Sequence, residues 1–420
     1  MTSKSAEVIA IGTELLLGEI TNTNAQFFAQ ELAALGIPHY FQTVVGDNVE
    51  RIHQVLAQAT QRSQLLLCTG GLGPTPDDLT TEAIARFFNT PLVEHPEIFA
   101  EIQAKYARRG LPTPENNRKQ ALLPQGAQVI PNPRGTAPGM IWSPRPGLTI
   151  MTFPGVPSEL QAMWRETAVP YLWQHGWVTE VFLSRNLRFW GISEAALAEK
   201  VQEFFSLTNP TVAPYAGKGE TRLRITARAA DRETAMALIA PVEAQLRERT
   251  GADCYGADEE TLALVVGRLL QGRGETLAVA ESCTGGLLGA MVTEVPGSSA
   301  YFQGGVVAYA NAVKERLLGV PSTVLAAQGA VSAPVAEAMA TGVREQLGTT
   351  WGVSITGIAG PGGATATKPV GLVYIGLAGP AGQVYSWEHR FSPERGRDWI
   401  RQLSACQALD HLRRVLLNAV

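Results

Sequence analysis

The sequence predicts a multidomain α/β protein: a parallel-sheet domain, a small α+β module, and a second α/β domain. Strand-like and helix-like segments alternate over residues 1–172, change character over 180–255, and alternate again over 258–420. The 420 residues suffice for two or three domains, each with its own core. Hydrophobic residues make up 45% and charged residues 17%, which suits ordinary globular packing.

In the first region, AEVIAIG reads as an apolar strand ending at Gly12. NAQFFAQELAALG reads as a helix with Asn24 as N-cap and Gly36 as its stop. HYFQTVVG, SQLLLCTGG and LTIMTFPG read as further strands, and NVERIHQVLAQATQ and DDLTTEAIARFF as helices. That order predicts a parallel sheet covered on both faces. In the middle region, SEAALAEKVQEFF is helical, ETRLRITARA alternates like a half-exposed strand, and a helix runs from an Asp231 cap to Gly251. Its apolar content is too modest for a buried active site. In the last region, a helix over 259–271 leads into the strand GETLAVA, followed by the strand QGGVVAYA, a helix SAPVAEAMATGVREQLG and the strand TWGVSIT. VGLVYIGLA and QVYSWEHRF form a hairpin across GPAG, and a long helix begins near Gly396.

A net charge of −4 gives no electrostatic footprint for direct nucleic-acid or membrane binding. The apolar runs are strand-length, and residues 1–12 lack the h-region of a signal peptide. The four cysteines form no C-x-x-C pair and the six histidines add no metal-type spacing, so free thiols in a reducing cytoplasm are expected.

Three segments of the last region carry chemistry. Ser282-Cys283-Thr284-Gly285-Gly286 stands where a strand hands over to a helix. Ser282 or Thr284 there is expected to cap the helix, or a hydroxyl uses the free amides at the helix start to stabilise an oxyanion. Cys283 is the rival nucleophile, because a helix N-terminus acidifies a thiol. In YANAVK, Asn311 is the expected N-cap, which puts Lys314 in the first turn, at the unfavourable end of the dipole. The lysine is either a solvated surface residue or a buried base of lowered pKa, with Tyr309 close enough to relay or orient a proton. TGIAGPGG, residues 356–363, is rich in Gly and Pro, as expected either of a tight connection or of backbone that approaches a ligand closely. No His-Asp partner accompanies any serine, so a Ser-Lys or Ser-Tyr-Lys arrangement is favoured over a Ser-His-Asp triad.

In the first region, GTELLLGEITNTN and TGGLGPTPDDLT follow strand ends, where open α/β sheets bind ligands. Glu14, Asn24, Thr69, Gly70, Gly71 and Gly73 are the candidate ligand contacts there. Asp77 and Asp78 precede a helix and either cap it or, with Asp47 from a neighbouring strand end, hold a divalent ion such as Mg²⁺.

AESCTGG, GGVVAYANAVKERLLGV, GAVS, TGIAGPGG and KPVGLVYI together resemble the C-terminal domain of CinA proteins, the nicotinamide-nucleotide amidase family. The resemblance implies hydrolysis of nicotinamide mononucleotide to nicotinate mononucleotide and ammonia, without a cofactor. The family's Ser-Tyr-Lys set falls on Ser282, Tyr309 and Lys314, which makes Cys283 a packed neighbour. Thr284, Gly285, Gly286, Asn311, Gly357, Gly360 and Gly362 are the candidate substrate contacts, and the resemblance implies an arginine for the phosphate, Arg397 or alternatively Arg401. Ala310 stands where the family has serine. ENNRKQALLPQGA, NPRGTAPGM and FPGVPSEL similarly resemble the MogA-type molybdopterin-binding fold found at the N-terminus of CinA, with Phe153 for the usual leucine and Met140 for a common aromatic. That resemblance implies that some members hydrolyse ADP-ribose at its pyrophosphate with a divalent metal; no Nudix-type R-E-x-x-E-E run is present, so any such activity must use this different site. NPTVAPYAGKGE resembles the KH-like CinA module, yet GKGE supplies no G-x-x-G nucleic-acid loop, so a spacer or dimerisation role is expected. The family suggests a homodimer. Two other readings remain: an N-terminal domain that binds a pterin or nucleotide without turnover, and an interaction protein of competence or DNA-damage responses.

Overall fold

Strands that alternate sides without polar interruption must be covered on both faces, and the computed structural model shows how each domain does so. It describes residues 4–217 and 219–418; Lys218 of the GKGE segment lies outside them. Two compact units result: residues up to Ser184 with Ala227–Leu238, and Arg185–Thr226 with the chain from Ile239 onward. The middle segment is thus shared between them.

The first unit holds a six-stranded sheet in the order His39–Val45, Ala6–Ile11, Leu65–Thr69, Leu148–Phe153, Gly139–Arg145, Gln128–Ile130. Ala6, Val8, Leu65 and Leu67 pack on one face with Phe28, Trp164 and Leu172. Ile9, Ile11, Leu66 and Cys68 pack on the other with Ile52, Leu56, Ile84 and Ile102. The first four strands are parallel, as expected. The last two, which the sequence did not reveal, add an antiparallel edge to that parallel sheet. Pro144 hides the Gly139–Arg145 strand in the sequence. It has no N–H to donate, and the register shifts between Trp142 and Arg145 to accommodate it.

Two caps also differ from expectation. The Thr23–Ala34 helix is capped by Asn22, whose side chain accepts from the Ala25 amide at 3.0 Å, and Asn24 lies inside the first turn. The Thr80–Phe87 helix has Leu79 at its N-cap, so neither Asp77 nor Asp78 caps it. Asp231 does accept from the Thr234 amide, at 2.7 Å, as expected.

The middle segment forms a four-stranded sheet in the order Thr211–Gly217, Glu220–Ala229, Val181–Phe189, Cys254–Ala257. In the second unit, a five-stranded sheet runs Phe302–Val307, Leu277–Glu281, Trp351–Gly357, Leu372–Ala378, Val384–Arg390. The first three strands are parallel and the last two form the expected hairpin. Leu277 and Val279 face the helices Leu262–Arg273 and Gly396–Asn418, while Ala278 and Ala280 face Val335, Met339 and Val343 of the Ala333–Leu347 helix. The terminal helix also holds residues of the middle segment. Trp190 Nε1 donates to Gln407 at 3.1 Å, and the buried Arg413, paired with Asp410, reaches the Ala252 carbonyl at 2.6 Å. Among the described residues, no helix is long and apolar enough to cross a membrane.

Candidate active site

The Leu277–Glu281 strand lies between two parallel neighbours and is buried throughout, so its carboxyl end is a fixed platform. The Ser282 amide donates to the Ile355 carbonyl at 2.9 Å, which ties the serine to the next strand. On the other side the Ala308 amide donates to the Glu281 carbonyl at 2.7 Å, and this anchors the segment leading into the Asn311–Leu318 helix. That helix delivers Lys314 beneath Ser282.

Lys314 is 1% exposed, and its Nζ lies 3.2 Å from Ser282 Oγ, 2.7 Å from the Ala308 carbonyl and 3.3 Å from the Tyr309 carbonyl. No carboxylate pairs with it among the described residues. Burial lowers its pKa, only partly opposed by the nearby Cys283 sulfur. A neutral amine has two N–H bonds and one lone pair. Here Nζ donates to two carbonyls and to Ser282 Oγ, and loss of its proton on the serine side would leave a lone pair aimed at that hydroxyl.

The structure corrects several expected details. Asn311 is the exposed first residue of its helix and Ala310 is the cap, so the Lys314 amide makes the first helical bond, to Ala310. The Tyr309 hydroxyl makes no hydrogen bond to Ser282 or Lys314. The side chain is 64% exposed, and its oxygen accepts from Arg397 at 3.4 Å. Neither Ser282 nor Thr284 caps the Leu287–Thr293 helix; Gly286 holds that position with no side-chain cap. Thr284 is fully buried and its hydroxyl has no partner, while its carbonyl accepts two nitrogens of Arg401, at 2.8 and 3.3 Å. Cys283 is buried, which pushes its thiol up to about 11, the reverse of the acidification expected at a helix start.

Arg397 donates to the Gly360 carbonyl at 2.6 Å, so the Gly-rich loop, Tyr309 and Arg397 meet. Gly357 is a packing glycine: a Cβ there would lie 2.6 Å from Val373. Gly362 faces open space. Glu281 was missed in the sequence. Its buried carboxylate accepts the amides of Gly286 and Leu288 at 3.0 Å and of Gly289 at 2.8 Å. The available signal was a carboxylate at the end of an otherwise apolar strand.

The first unit presents an open cleft of about 610 Å³ lined by Gly70, Gly71, Gly73, Glu14, Asp47, Asp77, Asp78 and Glu159. Gly70 has φ +102, and a Cβ there would lie 2.0 Å from the Ile11 carbonyl oxygen, so only glycine lets the turn pass the first strand. Thr69 is buried, donating to the Pro154 carbonyl and accepting from Asn24 at 3.0 Å each. Asp47 accepts both the amide and the hydroxyl of Thr13 at 2.8 Å. Asp78 accepts the Thr75 amide at 2.8 Å and the Thr75 hydroxyl. Asp77 is exposed; its bond from Thr75, then its own amide, hold its carboxyl below the usual range. Among the described residues, no three His, Cys, Asp or Glu side chains gather as a metal cage. The expected Asp47–Asp77–Asp78 set is therefore not a preformed cation site. Glu159, which receives Asn132 at 2.7 Å, is a cleft carboxylate the sequence reading did not single out.

Comparison with known proteins yields three family descriptions in succession: "Probable molybdopterin binding domain" over residues 7–174, "Damage-inducible protein CinA KH domain" over 184–256, and "CinA C-terminal domain" over 259–416. A CinA-like protein of Cyanothece is 66% identical over 416 residues, covering 99% of each chain. One from Synechococcus elongatus is 65% identical over 413 residues, covering 98% of each. Among solved structures, the competence/damage inducible protein CihA from Agrobacterium tumefaciens is 40% identical across 37% of this chain and 93% of its own, with a TM-score of 0.36. Similarity of this extent, over nearly the whole length of both curated relatives, makes this chain a member of the CinA family.

Proposed function

We propose that the C-terminal domain hydrolyses the carboxamide of nicotinamide mononucleotide, giving nicotinate mononucleotide and ammonia. The observation that carries this is the buried Lys314 amine, 3.2 Å from Ser282 Oγ and without a carboxylate partner among the described residues. Ser282 Oγ attacks the carboxamide carbon and its proton passes to Lys314 Nζ. The tetrahedral intermediate collapses as Lys314 returns that proton to the departing nitrogen, and ammonia leaves. Water then attacks the acyl-serine ester, with Lys314 again taking and returning the proton. Arg397 is the better of the two arginines for the substrate phosphate, since it is exposed and gives one nitrogen to the Gly360 carbonyl, whereas Arg401 is half-buried with two nitrogens on the Thr284 carbonyl. Incubating the chain with nicotinamide mononucleotide should release ammonia and nicotinate mononucleotide in equal amounts. No release would refute this reading and favour a binding or interaction protein.

A second activity, hydrolysis of ADP-ribose at its pyrophosphate, is supported by the cleft that joins a glycine-rich turn to five carboxylates. Asp47 and Asp78 each engage their Oδ2 with a neighbouring threonine. Their remaining oxygens fit a cation that a substrate phosphate helps to bind, because Mg²⁺ uses only one or two carboxylates when phosphates complete its shell. Such an ion would neutralise the diphosphate. AMP release from ADP-ribose that stops with EDTA and returns with Mg²⁺ tests this; binding without turnover favours a pterin or nucleotide carrier.

A further inference from the structure

We infer that Glu281 is a positioning residue for the amidase site, fixing which backbone amides meet the substrate oxyanion. This rests on the reading of Ser282 as nucleophile. The start of the Leu287–Thr293 helix is the obvious place for an oxyanion, but an anion already occupies it. Glu281 Oε2 takes the Gly286 and Leu288 amides and Oε1 takes the Gly289 amide. The carboxylate is 1% exposed, and among the described residues no Lys, Arg or His forms an ion pair with it. Amide donors therefore carry its charge, and those donors are not free for a substrate.

The same contacts shape the loop that holds the nucleophile. The chain leaves Glu281, passes through Ser282, and returns to that carboxylate at Gly286. The return uses left-handed backbone at Gly285, φ +62, and Gly286, φ +97, which glycine adopts readily. The Gly285 amide closes on the Ser282 carbonyl at 3.2 Å, and the Leu287 amide donates to Thr284 at 3.3 Å. Between them, the amides of Cys283 and Thr284 donate to no other residue among those described. The Cys283 amide follows the nucleophile directly, the position from which a backbone amide serves the oxyanion in acyl transfer, whereas Thr284 is fully buried. Arg401 adds a second anchor at the Thr284 carbonyl. Glu281 thus occupies the helix start and leaves the Cys283 amide to stabilise the tetrahedral intermediate.

Glu281→Gln tests this, because it keeps the shape but sets an NH₂ group against an amide donor. In the full chain, kcat for nicotinamide mononucleotide should fall about 10–100-fold with KM within about twofold, as for a weakened oxyanion contact. Pyridine-3-boronate, which forms a tetrahedral adduct on a serine, should lose affinity by a comparable factor. The midpoint of the pH–rate profile should stay in place, since the Lys314 contacts are untouched. An unchanged kcat, or a kcat loss without loss of boronate affinity, overturns the inference. Hydrogen exchange on the unmutated chain settles the case should the variant not fold. Boronate should slow exchange at Cys283, while Gly286, Leu288 and Gly289 are protected beforehand and change little. Slowing at Gly286–Gly289 instead would return the oxyanion to the helix start and overturn the role given to Glu281. A wild-type chain that releases no ammonia overturns the amidase reading and this inference together, whereas an active wild type with a fully active Glu281→Gln overturns this inference alone.

Discussion

Lys314 and Asp78 are both polar groups beside a glycine-rich turn at the end of a parallel strand, yet their surroundings differ. Lys314 is enclosed, and a hydroxyl and two carbonyls receive its nitrogen. Asp78 lies at an open cleft, and a threonine three residues before it receives its carboxylate. Burial changes the acid–base character of Lys314 before any ligand arrives. The cleft carboxylates gather into no metal cage among the described residues, so the proposed cation would rely on a substrate phosphate to complete its shell. The proposed C-terminal site is preorganised by the chain, whereas the proposed N-terminal site would need its ligands to complete it. The two should therefore respond to substitution in different ways.

The largest contrast is expected at the nucleophile. Ser282→Ala should lower amidase turnover by about 10³-fold or more, since a covalent nucleophile is lost. Cys283→Ala should stay within about tenfold, because its thiol, pushed up to about 11 by burial, is protonated near neutral pH. ADP-ribose hydrolysis should be unaffected by either. A dead cysteine variant beside a working serine variant would reverse the assignment.

The next contrast is pH dependence. Burial lowers the Lys314 pKa, so the amine becomes neutral at a lower pH than free lysine, whose value is about 10.4. Only the neutral form accepts the serine proton. Single-turnover amidase rates should rise with pH through the folded-state pKa, below about 10.4, and fall as pH drops through it. Lys314→Arg should be nearly inactive, because guanidinium keeps its proton. A flat profile or an active arginine variant would make Lys314 an electrostatic anchor and erase its difference from the cleft residues.

How far the sequence reached follows the same division. The strands with uninterrupted apolar runs were legible, because burial on both faces leaves a pattern that composition alone reveals. Gly139–Arg145 was not, since a proline inside a strand reads as a break until the bulge that receives it is seen. The residues of the buried site were legible by type and spacing, but their contacts were not. Tyr309 sits five residues before Lys314, yet its hydroxyl faces Arg397, because neighbours along an extended segment point to different sides. Glu281 stood out only as a carboxylate ending an apolar strand, and its role was not legible because its partners are backbone amides, which sequence does not distinguish. Asp47, Asp77 and Asp78 were found as cleft residues, but proximity in sequence did not reveal that Thr13 and Thr75 engage two of them.

A smaller effect is expected from Asp78→Asn. The substitution removes a charge from the open cleft and should reduce ADP-ribose hydrolysis about 10–100-fold while raising the Mg²⁺ concentration required. Amidase turnover should not change. An asparagine can still accept from Thr75, so the melting temperature should hold as well. Loss of both activities with a lowered melting temperature would mean that Asp78 supports the turn and has no part in metal-assisted chemistry.

The smallest effects separate two glycines that composition alone makes equivalent. Gly70 has φ +102 and lies against the Ile11 carbonyl, where a Cβ would approach to 2.0 Å. Both the strand and the turn are backbone, so neither yields as a flexible side chain would. Gly70→Ala should destabilise the first unit by about 1–3 kcal/mol through backbone strain. For a domain of this size that corresponds to a fall of about 2–4 °C per kcal/mol in its thermal transition. Gly362 has no atom within 4 Å of where a Cβ would stand. Gly362→Ala should therefore change stability by less than about 0.5 kcal/mol. Its activity is the sharper readout. A KM for nicotinamide mononucleotide that rises while stability and kcat hold would show that the loop is open to admit substrate close to the backbone. An unchanged KM would make it a plain connection, with the loop tied to the site through the Gly360 carbonyl and Arg397.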